Sequence, residues 1–211
     1  MLKYNHWFWD FDGTLYDTYP RIVRAFQKAL QQKKIDLPDE EVFIRVKQKL
    51  GTAAASVADG KYAQELMDLY HHHAEDEGEE TLQPYPGLEQ ALTFINHHGG
   101  RHYLYTHRGI SGPNAMQRDG LWDLFTDGVT SADGFPSKPA PDALQYLMKK
   151  HHLHPADCVM VGDRPIDLDA GTNAGMDHIL FDADMAYAQY PAQYRFTSFA
   201  QMLNALETEE L

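Results

Sequence analysis

The chain opens with a short run of bulky apolar residues that stops at an acidic loop. His6-Trp7-Phe8-Trp9 leads directly into Asp10-Phe11-Asp12-Gly13. A short, bulky run of this kind is typical of a strand buried on both faces of a parallel sheet. We therefore predict a buried strand here, with the acidic loop following its carboxyl end.

After this strand the apolar positions adopt helical spacing. They recur three and four residues apart from about Thr18 to Lys34, again from Pro38 to Leu50, and over roughly Tyr62 to His73. Gln-Pro-Tyr-Pro-Gly at 83–87 then breaks the pattern. We predict an all-helical segment over residues 15–85.

Beyond the break, strands and helices alternate. The predicted elements are a helix over Leu88–His97, a strand over His102–Tyr105, a helix over about Asn114–Asp119, a strand near Val129, a helix over Pro141–Lys150, a strand over Val159–Val161, a helix over Leu168–Ala174, a strand over His178–Phe181 and a helix over Phe199–Leu206. Such alternation indicates parallel strands joined by right-handed crossovers. The predicted fold class is α/β, a doubly wound parallel sheet formed by residues 1–14 and 86–211, with residues 15–85 inserted as a helical cap domain.

Composition fits a soluble globular protein with an acidic surface. The chain has 211 residues, 43% hydrophobic and 23% charged, with 18 Lys and Arg against 31 Asp and Glu, so its formal net charge is -13. This charge disfavours non-specific binding to nucleic acid, whose phosphates need a basic surface. An anionic substrate would need a metal and a few local cations to overcome the same field.

The remaining composition points to a reducing compartment. The one cysteine, Cys158, cannot form an intramolecular disulfide, and we expect it to be a small buried apolar side chain. No apolar run approaches the length of a membrane span, and residues 1–9 are too short and too polar for a signal peptide. We expect a cytoplasmic protein with no membrane and no nucleic-acid partner.

Polar side chains follow the predicted strands or precede the predicted helices. They are Asp10, Asp12, Thr106, Lys138, Asp163 and Asp167. The carboxyl ends of parallel strands meet at one edge of the sheet, where ligands bind. Several carboxylates at that edge repel one another and cannot all stay ionised without a cation. The cofactor that we expect is a hard, oxygen-ligated divalent ion, Mg²⁺.

These residues stand in a familiar order. Asp10–Leu15, DFDGTL, resembles the nucleophile motif of the haloacid dehalogenase superfamily, Thr106 matches its second motif and Lys138 its third, and Gly162–Asp167, GDRPID, resembles its acidic fourth motif. The matched context covers most of the core, over residues 7–175. A helical insert between the first two motifs is similar to the phosphoglycolate-phosphatase-like branch. One Asp-x-Asp-Gly is a weak signal, whereas four ordered motifs are a strong one.

The resemblance implies an aspartyl-phosphate mechanism on a Rossmann-like core. Asp10 would attack phosphorus, and Asp12 would protonate the leaving oxygen and later deprotonate the hydrolytic water. Thr106 would hydrogen-bond the transferring phosphoryl group. Lys138 would neutralise the charge on its oxygens and hold the nucleophile.

The resemblance also implies the ligands. Mg²⁺ would be held by the Asp10 carboxylate, the Asp12 backbone carbonyl and Asp163, with Asp167 as a ligand or directly behind the ligands. Gly13 would let the loop backbone approach the phosphate closely.

Further substrate contacts are expected from two other places. His107 and Arg108 follow the second motif, and their backbone amides are better candidates for phosphate contacts than their side chains. Lys47 and Lys49 precede Gly51 on a predicted cap helix, where exposed cations would help to capture an anionic substrate. A solvated helix face is the plainer explanation for either lysine.

Other motifs also have plainer explanations. Asp12-Gly13 is typical of a turn after a strand. A calcium-binding loop is a second alternative, but the spacing does not fit an EF-hand. Asp163 and Asp167 are typical N-caps for the following helix, and Arg164 is a candidate ion-pair partner for them. Histidines cluster at 71–73, 97–98 and 151–152. Consecutive helical histidines point in different directions, so we expect solvated faces rather than a metal site.

Asp12 favours phosphate-ester chemistry, because a carbon–halogen bond needs no acid for its leaving group. We expect a Mg²⁺-dependent phosphatase acting on a small phosphorylated metabolite, either phosphoglycolate or a compound like a sugar phosphate. One alternative is a phosphomutase resembling β-phosphoglucomutase, although no constellation of cap cations for a bisphosphate stands out. The other is a silent binding or regulatory protein, although the candidate nucleophile and metal ligands are all retained.

Overall fold

A computed structural model describes residues 2–78 and 81–211. The chain divides into two compact units, one made of the residues up to Tyr16 together with Pro84–Leu211, the other of Asp17–Gln83. These boundaries fall within two residues of the predicted insert at 15–85. The functional roles of core and cap remain predictions.

The first unit is built on a parallel sheet. Within the described ranges the strands are β1 (His6–Trp9), β2 (Arg101–Tyr105), β3 (Phe125–Val129), β4 (Cys158–Gly162), β5 (Asp177–Phe181) and β6 (Tyr194–Phe196). All adjacent pairs are parallel, in the order β3-β2-β1-β4-β5-β6. This is the strand order of a doubly wound α/β fold, so the predicted fold class is confirmed.

The helices follow the predicted pattern closely. In the same ranges they are α1 (Tyr19–Gln32), α2 (Asp39–Gln48), α3 (Leu50–Ala55), α4 (Ala63–Asp76), α5 (Leu88–His97), α6 (Ser111–Arg118), α7 (Asp142–Lys150), α8 (Pro165–Asn173) and α9 (Phe199–Glu207). The first four belong to the helical unit, where an apolar stripe including Phe26 and Leu30 packs with Val42 and Val46.

The helix expected up to Leu50 is divided in two. Lys49 is extended, with φ −171° and ψ 122°, and this ends α2 at Gln48. A new short helix begins at Leu50 and includes Gly51. The helical stretch predicted from Pro38 to Leu50 therefore breaks two residues before its expected end, because the backbone is extended at Lys49.

The central strand β1 is buried on both faces. Its side chains alternate, so Trp9 packs its ring 6.1 Å from that of Phe199 while Phe8 stacks on Tyr103 with centroids 4.8 Å apart. Trp9 is level with Leu104 in β2 and Val161 in β4. The residues that follow these three strands therefore emerge at one edge of the sheet.

Strand β6 has no counterpart in the sequence analysis. It has only three residues, and its middle residue, Arg195, is polar and donates a 2.7 Å hydrogen bond to buried Asp182. No apolar run or clean alternation marks so short an edge strand. Cys158, the first residue of β4, is buried as expected.

No helix in the described part of the chain is both long enough and apolar enough to cross a lipid bilayer.

His102 in β2 is a fully buried titratable residue. The indole N–H of Trp9 donates to His102 Nδ1 at 2.9 Å, so the ring proton of the neutral imidazole lies on Nε2, which donates to the carbonyl of Leu92 at 3.0 Å. Burial lowers the pKa of His102 to about 4, and the Leu92 carbonyl opposes this only in part. Protonation would set an Nδ1–H against the Trp9 donor.

Between about pH 6.5 and pH 4, His102 should therefore stay neutral in the folded protein but become protonated in the unfolded chain. Because the folded pKa is depressed below its ordinary value near 6.5, the free energy of unfolding should fall as the pH drops from about 6.5 to about 4. In His102→Asn the amide oxygen can still accept from Trp9, so the protein should be less stable at neutral pH but should lose less stability over this window. Urea unfolding followed by tryptophan fluorescence measures both effects. Exposed His97→Asn is the control, and a wild-type pH slope in His102→Asn would contradict the account.

Candidate active site

A buried lysine joins two of the candidate acids. The Lys138 ammonium lies 2.5 Å from Asp10 Oδ1 and 2.8 Å from Asp167 Oδ1, and all three side chains are at most 3% exposed. Lys138 is therefore a buried member of this cluster and not a solvated surface lysine. The arrangement brings together residues that are 128 positions apart in the chain.

The ends of β1 and β4 place the two carboxylates. Asp10 extends the ladder by donating its N–H to the Val161 carbonyl at 2.9 Å. A Cβ at Gly162 would lie 2.2 Å from Cβ of Asp167, so only glycine gives that side chain room. Asp167 Oδ2 accepts from the backbone N–H of Arg164 at 3.1 Å while Oδ1 pairs with Lys138, so Asp167 both caps α8 and belongs to the site.

The loop after β2 supplies a contact that the sequence did not indicate. The imidazole of His107 accepts a hydrogen bond from the backbone N–H of Lys138 at 2.8 Å. Burial and the nearby Lys138 charge lower the pKa of His107 to about 4, which keeps Nε2 an acceptor at neutral pH. The expected contact of the His107 backbone amide with phosphate stays a prediction, and the His107 side chain binds the lysine backbone.

The other residues of this loop are also engaged. Thr106 is buried, and its Oγ1 accepts from the backbone N–H of Arg108 at 3.0 Å. The Arg108 guanidinium contacts the Asp12 carboxylate, with Nη2 2.5 Å from Oδ1. Gly13 has φ +74°, a left-handed conformation suited to glycine, and it donates its N–H to the Tyr16 carbonyl at 2.8 Å.

Burial opposes the ionisation of Asp10, and the nearby charges act on it in both directions. Burial raises the pKa of Asp10 to about 7, Lys138 pulls it down, and the charges of Asp167 and Asp163 push it up. Burial alone would lower the pKa of Lys138, but Asp10 and Asp167 raise it, so the lysine is a cation. Burial also opposes ionisation of Asp167, yet Lys138 and Arg164 hold its pKa below the ordinary value.

The acids fit a divalent cation. Asp10, Asp163 and Asp167 are buried and offer oxygen atoms that all lie within 4.8 Å of one another. Asp10 Oδ2 is buried and has no hydrogen-bond partner among the described residues. Hard carboxylate oxygens at this spacing suit Mg²⁺, and its charge would offset their mutual repulsion. In the described ranges no histidine run forms such a group.

Comparison with known proteins identifies the family of this chain. The family of haloacid dehalogenase-like hydrolases matches residues 8–181. The phosphoglycolate phosphatase of Vibrio vulnificus strain YJ016 is 29% identical over 182 residues, covering 79% of this chain and 78% of its own. That of Psychrobacter arcticus is 28% identical over 196 residues, covering 85% and 84%. The chain belongs to the haloacid dehalogenase-like hydrolase family.

Solved structures support the family fold. A hydrolase from Streptococcus pneumoniae TIGR4 is 29% identical and superimposes with a TM-score of 0.69, covering 98% of this chain and all of its own. The resemblance drawn from the four motifs is confirmed, including the likeness to phosphoglycolate phosphatases. The protein is an enzyme, a haloacid dehalogenase-like phosphatase by class.

The two cap lysines of this hydrolase differ from each other. Lys47 is only 2% exposed, and its ammonium lies 4.4 Å from the centroid of the Tyr19 ring. The expectation of an exposed cation at Lys47 is therefore wrong, because the side chain is buried in the helical unit and its ammonium group contacts aromatic rings there. Lys49 is exposed, in the extended residue between α2 and α3. A substrate-facing role for either lysine stays a prediction.

Replacing Lys138 tests the buried ion pairs directly. Lys138→Met should lower the free energy of unfolding by about 3 kcal/mol or more in the presence of a chelator, because two buried carboxylates lose their cation. Lys150→Met is the matched control, since Lys150 pairs with Asp127 at the surface and its loss should change little. Chemical unfolding of both variants provides the comparison. Equal stability losses would mean that the buried pairs contribute no more than a surface pair.

Proposed function

We propose that this hydrolase is a Mg²⁺-dependent phosphatase that acts through a phosphorylated Asp10. Its substrate would be a small phosphorylated metabolite, either phosphoglycolate or a compound like a sugar phosphate. The observation that carries the proposal is the buried Lys138 cation in contact with Asp10, beside the Asp163 and Asp167 carboxylates. Phosphoryl transfer needs this combination of a fixed nucleophile and positive charge around the phosphoryl oxygens.

In the first half-reaction a carboxylate oxygen of Asp10 forms a bond to phosphorus as the bond to the ester oxygen breaks. Asp12 gives its proton to that oxygen, so the product leaves as a neutral alcohol. Thr106 donates a hydrogen bond to the phosphoryl group, and Lys138 holds Asp10 and neutralises charge on the transferring group. Asp12 is left as a carboxylate.

In the second half-reaction Asp12 takes a proton from water as the water oxygen attacks phosphorus. The bond between phosphorus and Asp10 breaks, which releases inorganic phosphate and restores both aspartates to their starting states. The net change is a phosphate monoester plus water giving an alcohol plus phosphate. The same carboxyl group serves as acid and then as base, so one residue covers both proton transfers.

The Asp10 carboxylate, the Asp12 backbone carbonyl and Asp163 would hold Mg²⁺, with Asp167 adjacent. When bound, the ion favours ionised Asp10 and offsets negative charge on the phosphoryl oxygens. The raised pKa of Asp10 supports this assignment, because burial and two neighbouring acids disfavour its charge even beside the Lys138 cation, and a second cation would offset them.

The substrate class rests on the relatives and on charge. The similar curated proteins are phosphoglycolate phosphatases, and a net charge of -13 leaves substrate capture to local cations. Lys49 remains our candidate for such a cation in the cap. We also infer a cytoplasmic location from the single cysteine, with no nucleic-acid partner.

Replacing the nucleophile tests the proposal. Asp10→Asn should lower turnover of phosphoglycolate and of p-nitrophenyl phosphate by at least about 10³-fold, because a neutral amide is a poor nucleophile. Its fold should persist, since Lys138 keeps Asp167 as a partner. Phosphate release is the measurement, and Asp123→Asn, an exposed acid, is the control.

Near-wild-type turnover in Asp10→Asn would overturn the assignment. Isomerised sugar phosphate without phosphate release would favour the phosphomutase. No turnover by the wild type on a broad panel of phosphorylated metabolites would favour the silent binding protein.

Metal removal gives a second test. Excess chelator should abolish phosphate release and added Mg²⁺ should restore it, because three buried carboxylates crowd one site. Ca²⁺ should inhibit, since its larger and looser coordination shell disturbs in-line geometry. Full activity in excess chelator would refute the metal requirement.

A further inference from the structure

The Asp12 carboxylate is contacted by an arginine. Arg108 Nη2 lies 2.5 Å from Asp12 Oδ1, and Arg108 Nε lies 3.2 Å from Oδ1 and 3.3 Å from Oδ2. The two side chains are only 15% and 24% exposed. A forked, charge-assisted contact of this kind fixes direction as well as distance.

The guanidinium is itself held in place. Arg108 lies over the Phe11 ring, with Cζ 5.3 Å from the centroid. Its backbone N–H donates to Thr106 Oγ1 at 3.0 Å and its carbonyl accepts from the Ser131 N–H at 3.2 Å. An arginine fixed at its backbone and at its ring face is preorganised to orient the carboxylate that it contacts.

We propose that Arg108 is the positioning residue for Asp12: its guanidinium fork grips Oδ1 and thereby orients the carboxyl group for proton transfer to and from the reacting oxygens. This rests on the proposed function, in which Asp12 is the acid and base. Arg108 acts through Asp12 and leaves the phosphoryl contacts to Thr106 and Lys138.

The inference has a chemical signature. In the first half-reaction, a poorly oriented Asp12 matters little when the leaving group is a weak base that departs without a proton. It matters much more when the leaving oxygen is strongly basic, because the bond to phosphorus then breaks only as the proton arrives. An arginine that bound the phosphate would instead affect both kinds of ester alike.

The experiment compares p-nitrophenyl phosphate with phenyl phosphate, which have similar shapes and differ in the basicity of the leaving oxygen. Arg108→Gln should lower the single-turnover rate of leaving-group release, the step before hydrolysis of phosphorylated Asp10, by about threefold or less for the nitrophenyl ester and by about 30-fold or more for the phenyl ester, with the half-saturating ester concentration nearly unchanged. Asp12→Asn should show the same pattern more strongly. The double variant should lose no more on phenyl phosphate than Asp12→Asn alone.

Two further variants complete the test. Arg118→Gln removes an exposed arginine that pairs with Asp119 and should leave both esters unaffected. Arg108→Lys keeps the charge without the fork and should lie between wild type and Arg108→Gln. It also serves if Arg108→Gln fails to fold, which a thermal melt reveals.

Equal losses in the single-turnover rate of leaving-group release from the two esters, a higher half-saturating ester concentration, or additive losses with Asp12→Asn would overturn the positioning role and assign Arg108 to the substrate phosphate. If Asp10→Asn keeps wild-type activity on both esters, the proposed function itself fails, and the positioning role fails with it.

Discussion

The site depends on one buried cation placed between two acids. Lys138 contacts Asp10 and Asp167 within 2.8 Å, in a region with no bulk water to stabilise any of the three charges. Removing charged groups from water costs several kcal/mol per ion, and buried pairs seldom repay that cost in stability. Here the cluster gives a fixed carboxylate beside a fixed cation, which is what attack on phosphorus requires.

The loop after β2 connects the candidate motifs physically. Three consecutive residues of this loop have different environments. Thr106 directly follows the strand and is buried, the His107 ring binds the backbone of Lys138, and the Arg108 side chain binds Asp12. Because β1 lies between β2 and β4, this loop stands next to the nucleophile loop. In the function proposed here, this loop would therefore hold the lysine and the acid as well as offering a hydroxyl to phosphate.

The ends of the strands could be predicted from the sequence, whereas most side-chain partners could not. The bulky run His6–Trp9 before an acidic loop has few structural solutions, so β1 and its position could be predicted. Tyr194–Phe196 could not, because three residues with a central arginine have no distinctive pattern. Burial of Lys47 depends on which helix face packs inward, and the Arg108–Asp12 pair joins residues 96 positions apart. Such contacts depend on tertiary geometry that periodicity does not encode.

The central claim is that Asp10 becomes covalently phosphorylated. The Asp12→Asn variant can be mixed with p-nitrophenyl phosphate and Mg²⁺, because this ester needs no acid for its first step while hydrolysis of the intermediate still needs the base. After acid quench, intact-mass and peptide mass spectrometry should find one phosphoryl group per chain, on Asp10, labile to hydroxylamine and absent when Asp10 is also replaced by Asn. Release of nitrophenol with no adduct, or an adduct on another residue, would contradict the account.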